Sequence, residues 1–338
     1  MTELTDQEIQ QTDHPSSGLL FGRVLDGQGG AREIDWDEAR NWQPASPSET
    51  LWIHLDRTVP AVSQWLEHGM GFSETTVEVL TTNENRPRAF QEDGALIAVL
   101  RGINFNPGAK PEDMIAMQLW ADDHRLITLR RRRLQTPRDV LALLDEGHGP
   151  KTIGSLVTEL IEQLVVRMSK AILDMNERLD HLEHADMKED FDQALDDIAV
   201  IRRNCLALKR HMSPQHEALT AIGREAPKWM SEANKRDVRE IIARLHRYLE
   251  DLDVSKESAL LIQDDLNSRA ASQSNKTMYM LSIVAAIFLP LGFLTGLLGI
   301  NVGGMPGVDN AHAFGITVIL LIIIMVVQLL VFRKLKWL

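Results

Sequence analysis

Cysteine is almost absent: Cys205 is the one thiol in 338 residues, so a single chain can build neither a disulfide framework nor a cysteine-based zinc site. Basic residues are outnumbered as well. With 36 Lys and Arg against 48 Asp and Glu, the formal net charge is -12, which argues against a nucleic-acid partner, because neutralising phosphates requires clustered cations. The one basic run, Arg130 to Arg133, ends a predicted strand and reads as a solvated edge. Met1 to Ser17 is polar and acidic and lacks the positive and apolar regions of a secretory leader, so the bulk of the chain is expected in a reducing cytoplasm. Gly147-His148-Gly149-Pro150-Lys151 lacks phosphate-loop spacing and no motif pairs a nucleophile with a base, so no enzyme is expected.

Charge is missing from two long stretches, and this is the most informative absence. Met278 to Leu298 and Phe314 to Phe332 contain no Asp, Glu, Lys, Arg or His. Each is about the 20 residues that a hydrocarbon core of roughly 30 Å requires. A short Gly- and Pro-containing connector, Asn301 to Ala313, joins them into a helical hairpin. Lys276 precedes the first span and Arg333, Lys334 and Lys336 follow the second, while the connector has no Lys or Arg. That asymmetry puts both termini in the cytoplasm.

Three regions are predicted. Residues 1–136 alternate strand-like stretches (Gly18 to Leu25, Leu51 to Leu55, Ala95 to Phe105, Met114 to Ala121, Arg125 to Leu129) with a helical stretch from Pro60 to Leu80, which reads as an α/β domain with a mainly antiparallel sheet. Residues 137–276 read as a charged helical stalk, notably Ile153 to Met187 and Phe191 to Met212, interrupted at Pro214 and at Gly223 to Pro227. Residues 277–338 form the membrane hairpin, with an outer loop at 299–313. Ser231 to Asn275 has neither Gly nor Pro. Continued to Leu298, it predicts a helix of about 68 residues, or roughly 100 Å, which must pack along partners.

Alternating steps of four and three back from Gly299 trace a seam: Gly299, Gly296, Gly292, Leu289, Ala285, Ser282, Met278, Asn275, Ala271, Ser268, Asp264, Leu261, Glu257. Most positions are small or polar, the reverse of what lipid selects. A tight helix contact through Gly292 and Gly296 is the plainer reading. The polar members favour a water-filled path enclosed by several subunits. Asp264 and Glu257 would then form cytoplasmic carboxylate rings, and Met278 and Leu289 apolar constrictions able to gate by dewetting. The second span, from Ile316 through Val318, Ile319 and Leu320 to Met325 and on through Leu329 to Phe332, reads as apolar all round and suits a lipid-facing layer. Pro290 should loosen the first span, and a neighbouring helix must then satisfy the carbonyl it frees.

Asn275-Lys276-Thr277-Met278, Ile287-Phe288-Leu289-Pro290 and the closing Gly299-Ile300-Asn301 resemble the CorA superfamily of divalent-cation channels, whose usual tripeptide there is Gly-Met-Asn. Ile300 in place of Met, Val302 to Gly307, Asn85-Arg86-Pro87-Arg88 and Leu100 to Asn104 resemble its zinc-transporting branch. The resemblance implies a funnel-shaped homopentamer in the bacterial inner membrane, with Gly299, Ile300 and Asn301 as selectivity filter. It further implies a path along Asp264, Asn275, Met278 and Leu289 with Leu281 near the narrow region, Ser282 from the seam being kept beside it as a candidate, and Ala285, Gly292 and Gly296 continue that seam. The implied cargo is Zn2+, with Mg2+, Co2+, Ni2+ and Cd2+ as alternatives; no cofactor is expected, and direction and proton coupling stay open. Many members carry an acidic residue in the outer loop; here Asp309 and His312 are the ionisable groups of the connector and either concentrate cations or keep it wet.

His181 and His184, three apart with carboxylates adjoining, could form a metal-sensing site, although a solvated charged helix is the plainer reading. His211 and His216 flank Pro214 in an expected turn and are weaker still. A membrane-tethered sensor or scaffold, with the hairpin only an anchor, is the rival reading from another class.

Overall fold

In a computed structural model the described residues are 17–110, 112–184, 191–300 and 311–335. The chain forms two compact units, Met1–Ile262 and Gln263–Leu338.

In the first unit, β1 (Leu19–Leu25), β2 (Ala31–Ile34), β3 (Thr50–Asp56), β4 (Arg88–Glu92), β5 (Ala95–Gly102), β6 (Ile115–Ala121) and β7 (Arg125–Arg130) make a seven-stranded sheet in the order β2-β1-β3-β7-β6-β5-β4. All pairs are antiparallel except β3 with β7. The expected α/β domain is therefore present. β2 and β4 are additions that the sequence reading missed: both lie at sheet edges and are only partly buried, so neither carries an apolar run.

The central strands are mostly apolar and buried because helices cover both faces. Leu51, Ile53 and Leu55 of β3 join Ile97, Val99, Ile127 and Leu129 in a core closed by α1 (Trp36–Asn41), α2 (Pro60–Gln64) and α3 (Glu74–Thr81). Alternate residues point the other way, as a two-residue period requires. There Trp52 Nε1 donates to Thr128 Oγ1 at 2.9 Å, and His54 Nδ1 lies 2.9 Å from the same hydroxyl. Burial, with Arg130 adding to it, holds His54 well below the usual imidazole range, so it is neutral. The predicted single helix from Pro60 to Leu80 is in fact α2, a π-helical turn at Trp65–Gly69, and α3. Gly71, at φ 66°, makes the break, and the Ser73 side chain accepts from the Thr76 N–H to start α3.

Four further helices follow α4 (Thr136–Asp145): α5 (Ile153–His184), α6 (Phe191–Arg224), α7 (Glu232–Leu298) and α8 (Ala313–Lys334). α6 runs straight through Pro214, contrary to the predicted interruption. Tertiary packing overrides the local penalty there: Met212 and Gln215 are buried, and Gln215 Oε1 accepts from the Arg101 N–H of β5 at 2.6 Å.

The soluble-domain residues that carry the family resemblance act as scaffold. Arg101 donates to the carbonyls of Asn85 at 2.7 Å and Met114 at 2.9 Å, and Arg57 donates to those of Thr81 and Thr82, both at 2.6 Å. At Gly102 a Cβ would come within 2.7 Å of Leu164 and 2.9 Å of Leu134, so glycine is what lets α5 lie on β5.

Candidate functional site

α7 is a single helix of 67 residues. It starts where Ser231 Oγ accepts from the Asn234 N–H at 3.2 Å, and continues because no glycine or proline intervenes before the first apolar span. In the first unit one face of α7 is committed to its own chain. Val238, Ile241, Leu245, Leu252, Ser255 and Ala259 are buried at steps of three, four and seven. Polar ties fix the same side: Arg244 donates to Glu162 at 3.0 Å, Lys209 to Asp253 at 2.6 Å, and Ser255 to Asn176 at 2.6 Å. Glu257 and Leu261, two positions either side of Ala259, are exposed. Two residues correspond to roughly 200° around a helix, so they lie on the opposite side.

In the second unit α7 is exposed on every side from Asn267 to Ser282, and the division returns from Ile283 onward. Ile283, Ala286, Ile287, Leu291 and Leu294 of α7 are half-buried against α8, whose own covered face is Ala313, Thr317, Leu321, Ile324, Gln328 and Phe332. The second span is therefore not apolar all round: Gln328 sits on its α7-facing stripe. Every described seam position in this unit is exposed: Asp264, Ser268, Ala271, Asn275, Met278, Ser282, Ala285, Leu289, Gly292, Gly296 and Gly299, with Leu281 and Ile300 beside them. Leu289 keeps 76% of its surface uncovered and Met278 57%, so the described residues leave even the large apolar members mostly open. The plainer alternative for the glycines, a tight contact with the partner span, does not occur among the described residues: a Cβ at Gly292 or Gly296 would meet nothing within 4 Å. Ser282 Oγ donates to the Met278 carbonyl at 2.8 Å, which satisfies the hydroxyl proton without a second helix.

At the end of α7, the Gly299 N–H donates to the carbonyls of Thr295 at 3.0 Å and Gly296 at 3.2 Å. Asn301 and Asp309 lie outside the described residues; His312 is exposed immediately before α8. His181 is exposed on α5, and the His184 side chain lies outside the described residues. His211 and His216 sit inside α6 and not in a turn, a correction that follows from the continuity of that helix through Pro214. Burial, then Arg101 and Arg210, pushes His211 down to about 4. The His216 ring stands 5.4 Å from that of His246, and its own proton affinity is lowered by burial and then by His246. Among the described residues no three His, Cys, Asp or Glu side chains are placed to hold a metal ion. Cys205 is buried against Met175, and burial raises its thiol to about 11.

Two helices are long and apolar enough to cross a membrane, α7 through its C-terminal part and α8, and no residue of α8 is buried. A mainly antiparallel α/β domain, one helix that runs from it into an apolar span, and a second span closing a hairpin define a class of membrane proteins that present a single polar-seamed helix per chain. Residues 47–334 match the family described as CorA-like Mg2+ transporter protein, and the chain belongs to that family. It is 37% identical over 325 residues to the divalent cation transporter CmaX of Pseudomonas aeruginosa, covering 95% of this chain and 97% of that one. It is 32% identical over 338 residues to the zinc transport protein ZntB of Pectobacterium atrosepticum, covering 100% of both. The solved structure of full-length CmaX superposes with a TM-score of 0.81 at 35% identity, covering 95% of this chain and 99% of that one.

Proposed function

We propose that the chain is one subunit of a homopentameric conduit for divalent cations, with Zn2+ as first cargo, in the bacterial inner membrane with both termini in the cytoplasm. The observation that carries this reading is the small and polar seam of α7, every described member of which is exposed and which lies opposite the chain's own packing face where such a face exists, up to Leu266 and again from Ile283. One such helix and one outer helix per chain cannot enclose a path, so identical copies must supply the other walls. Membership in a family of transporters supports the reading, and the relatives named for zinc and for divalent cations support the cargo. No catalytic role is assigned.

In this reading Asn301, Gly299 and Ile300 form the outer filter. A ring of amide oxygens holds a hydrated divalent ion without stripping its water, which suits Mg2+. Zinc prefers His and Cys in tetrahedral sites, and the first span has neither, so zinc would pass largely hydrated. Asp309 and His312 would gather cations outside, Asp264 and Glu257 inside. No Asp, Glu, His, Lys or Arg stands between Lys276 and Asp309, so proton coupling would have to use those groups or water. Zn2+ flux into proteoliposomes, measured with and without an imposed pH gradient and against competing Mg2+, tests this. The expected result is Zn2+ flux that Mg2+ suppresses only weakly, and identical flux with and without the gradient would reject proton coupling. Complete absence of divalent-cation flux would contradict the conduit.

A further inference from the structure

Pro290 lies inside α7 and has no N–H, so the carbonyl four residues earlier, that of Ala286, loses its intrahelical donor. In the bilayer no water replaces it, and an unsatisfied carbonyl there is strongly disfavoured. The side chain that reaches it comes from the other span: Gln328 Nε2 of α8 stands 3.5 Å from the Ala286 oxygen, long for such a bond but directed at the one acceptor Pro290 frees. Between Thr317 and Arg333, Gln328 is the one residue of α8 that is not apolar. A polar amide in a lipid-facing helix is expensive unless it finds a partner, and Gln328 occupies the half-buried stripe that faces α7. Its amide is not fully engaged, because Gln328 Oε1 has no partner within the described residues. The nitrogen therefore faces the carbonyl with no competing demand to turn the amide over, which would set oxygen against oxygen.

We propose that Gln328 replaces the backbone donor that Pro290 removes, and is thereby the positioning residue that registers α8 on α7 at the level of Leu289. Its effect on transport rests on the conduit reading; its pairing with Ala286 does not. Pro290 sits one residue beyond Leu289, a large apolar member of the uncovered seam, and one turn beyond Ala286, a member of the α8-facing stripe. The freed carbonyl and its substitute donor thus fix one face of α7 while the other face at the same level stays unbound. Loss of the donor should let that turn of α7 loosen and blur the position of Leu289.

The test is a double-mutant cycle in the full-length protein reconstituted in lipid. Gln328→Met keeps length and helix preference and removes the donor. It is expected to lower the thermal midpoint by roughly 1–2 °C, the shift that one interhelical hydrogen bond produces when spread over a chain of this length. It should also change Zn2+ flux by roughly threefold to tenfold. Pro290→Ala returns the N–H to Ala286, so in that background Gln328→Met should shift neither midpoint nor flux. Equal effects of Gln328→Met in both backgrounds would overturn the proposal. An isotope-edited carbonyl at Ala286 gives a second readout independent of folding cost: its infrared band should move to higher frequency in Gln328→Met, and an unmoved band would overturn the pairing. If the variants give the band shift and the cycle in thermal midpoint while the wild-type protein carries no Zn2+, the conduit reading alone fails.

Discussion

Asn301→Ala is expected to reduce Zn2+ influx into proteoliposomes by about a hundredfold or more, with the protein still folded and assembled. The outer filter proposed above works by accepting hydrogen bonds from the water shell of the ion. Each such bond contributes about 0.5–1.5 kcal/mol net, and a five-fold ring removes five at once. Every 1.36 kcal/mol in a barrier is about tenfold in rate, so even the low end gives nearly two decades. Alanine also removes the steric rim, which would let the mouth admit ions of lower charge. Monovalent leak alongside lost Zn2+ selectivity is therefore part of the expected result. A tethered scaffold would be indifferent to this change, since an anchor has no use for an amide at the end of its first span, and unaltered flux would remove the filter from the account.

Asp264→Lys is the second large effect. Asp264 is exposed on α7, and its neighbour Asp265, also exposed, pairs with Arg269 at 2.5 Å one turn along the same helix. In a pentamer the substitution alters about ten charges around one axis and turns an attractive cytoplasmic ring into a repulsive one. Zn2+ flux should fall more than about tenfold at 10 mM salt, where the Debye length is about 30 Å, and the deficit should shrink markedly near 1 M, where it is about 3 Å. Asp264→Asn should fall between the two. A deficit that does not depend on salt would mean that the substitution damages packing and not the field in a passage.

The large features of this chain were readable from sequence because they rest on long-range patterns. Two charge-free runs of membrane length and a stretch from Ser231 to Asn275 without Gly or Pro survive in the structure as α7 and α8. The misses come from places where tertiary contacts decide. α6 ignores Pro214 because Met212 and Gln215 are anchored on their neighbours, and local helix rules do not see Arg101 donating from β5. The helix from Pro60 to Leu80 divides because Gly71 takes a left-handed φ next to a capping serine, a signal that was present in Gly71-Phe72-Ser73 and outweighed by the apolar spacing around it. Gln328 was passed over in an otherwise apolar span, although a lone amide one helix away from a proline is the pattern that a freed carbonyl calls for. Which face of α7 the chain reserves for itself could not be read from the seam alone; it needed the burial of Val238, Ile241, Leu245 and Ala259.

The most direct measurement is thiol accessibility along the two spans in native-like lipid. Cys205 is buried with its thiol raised to about 11, so it stays unreactive near neutral pH and leaves a silent background. Single cysteines at Asn275, Ser282 and Ala285 should react with a charged, membrane-impermeant thiol reagent, and divalent cation should slow the reaction. Cysteines at Ile319 and Ile323 of α8 should not react. Reactivity at the α8 positions with silence at Asn275, Ser282 and Ala285 would place acyl chains where this account places water.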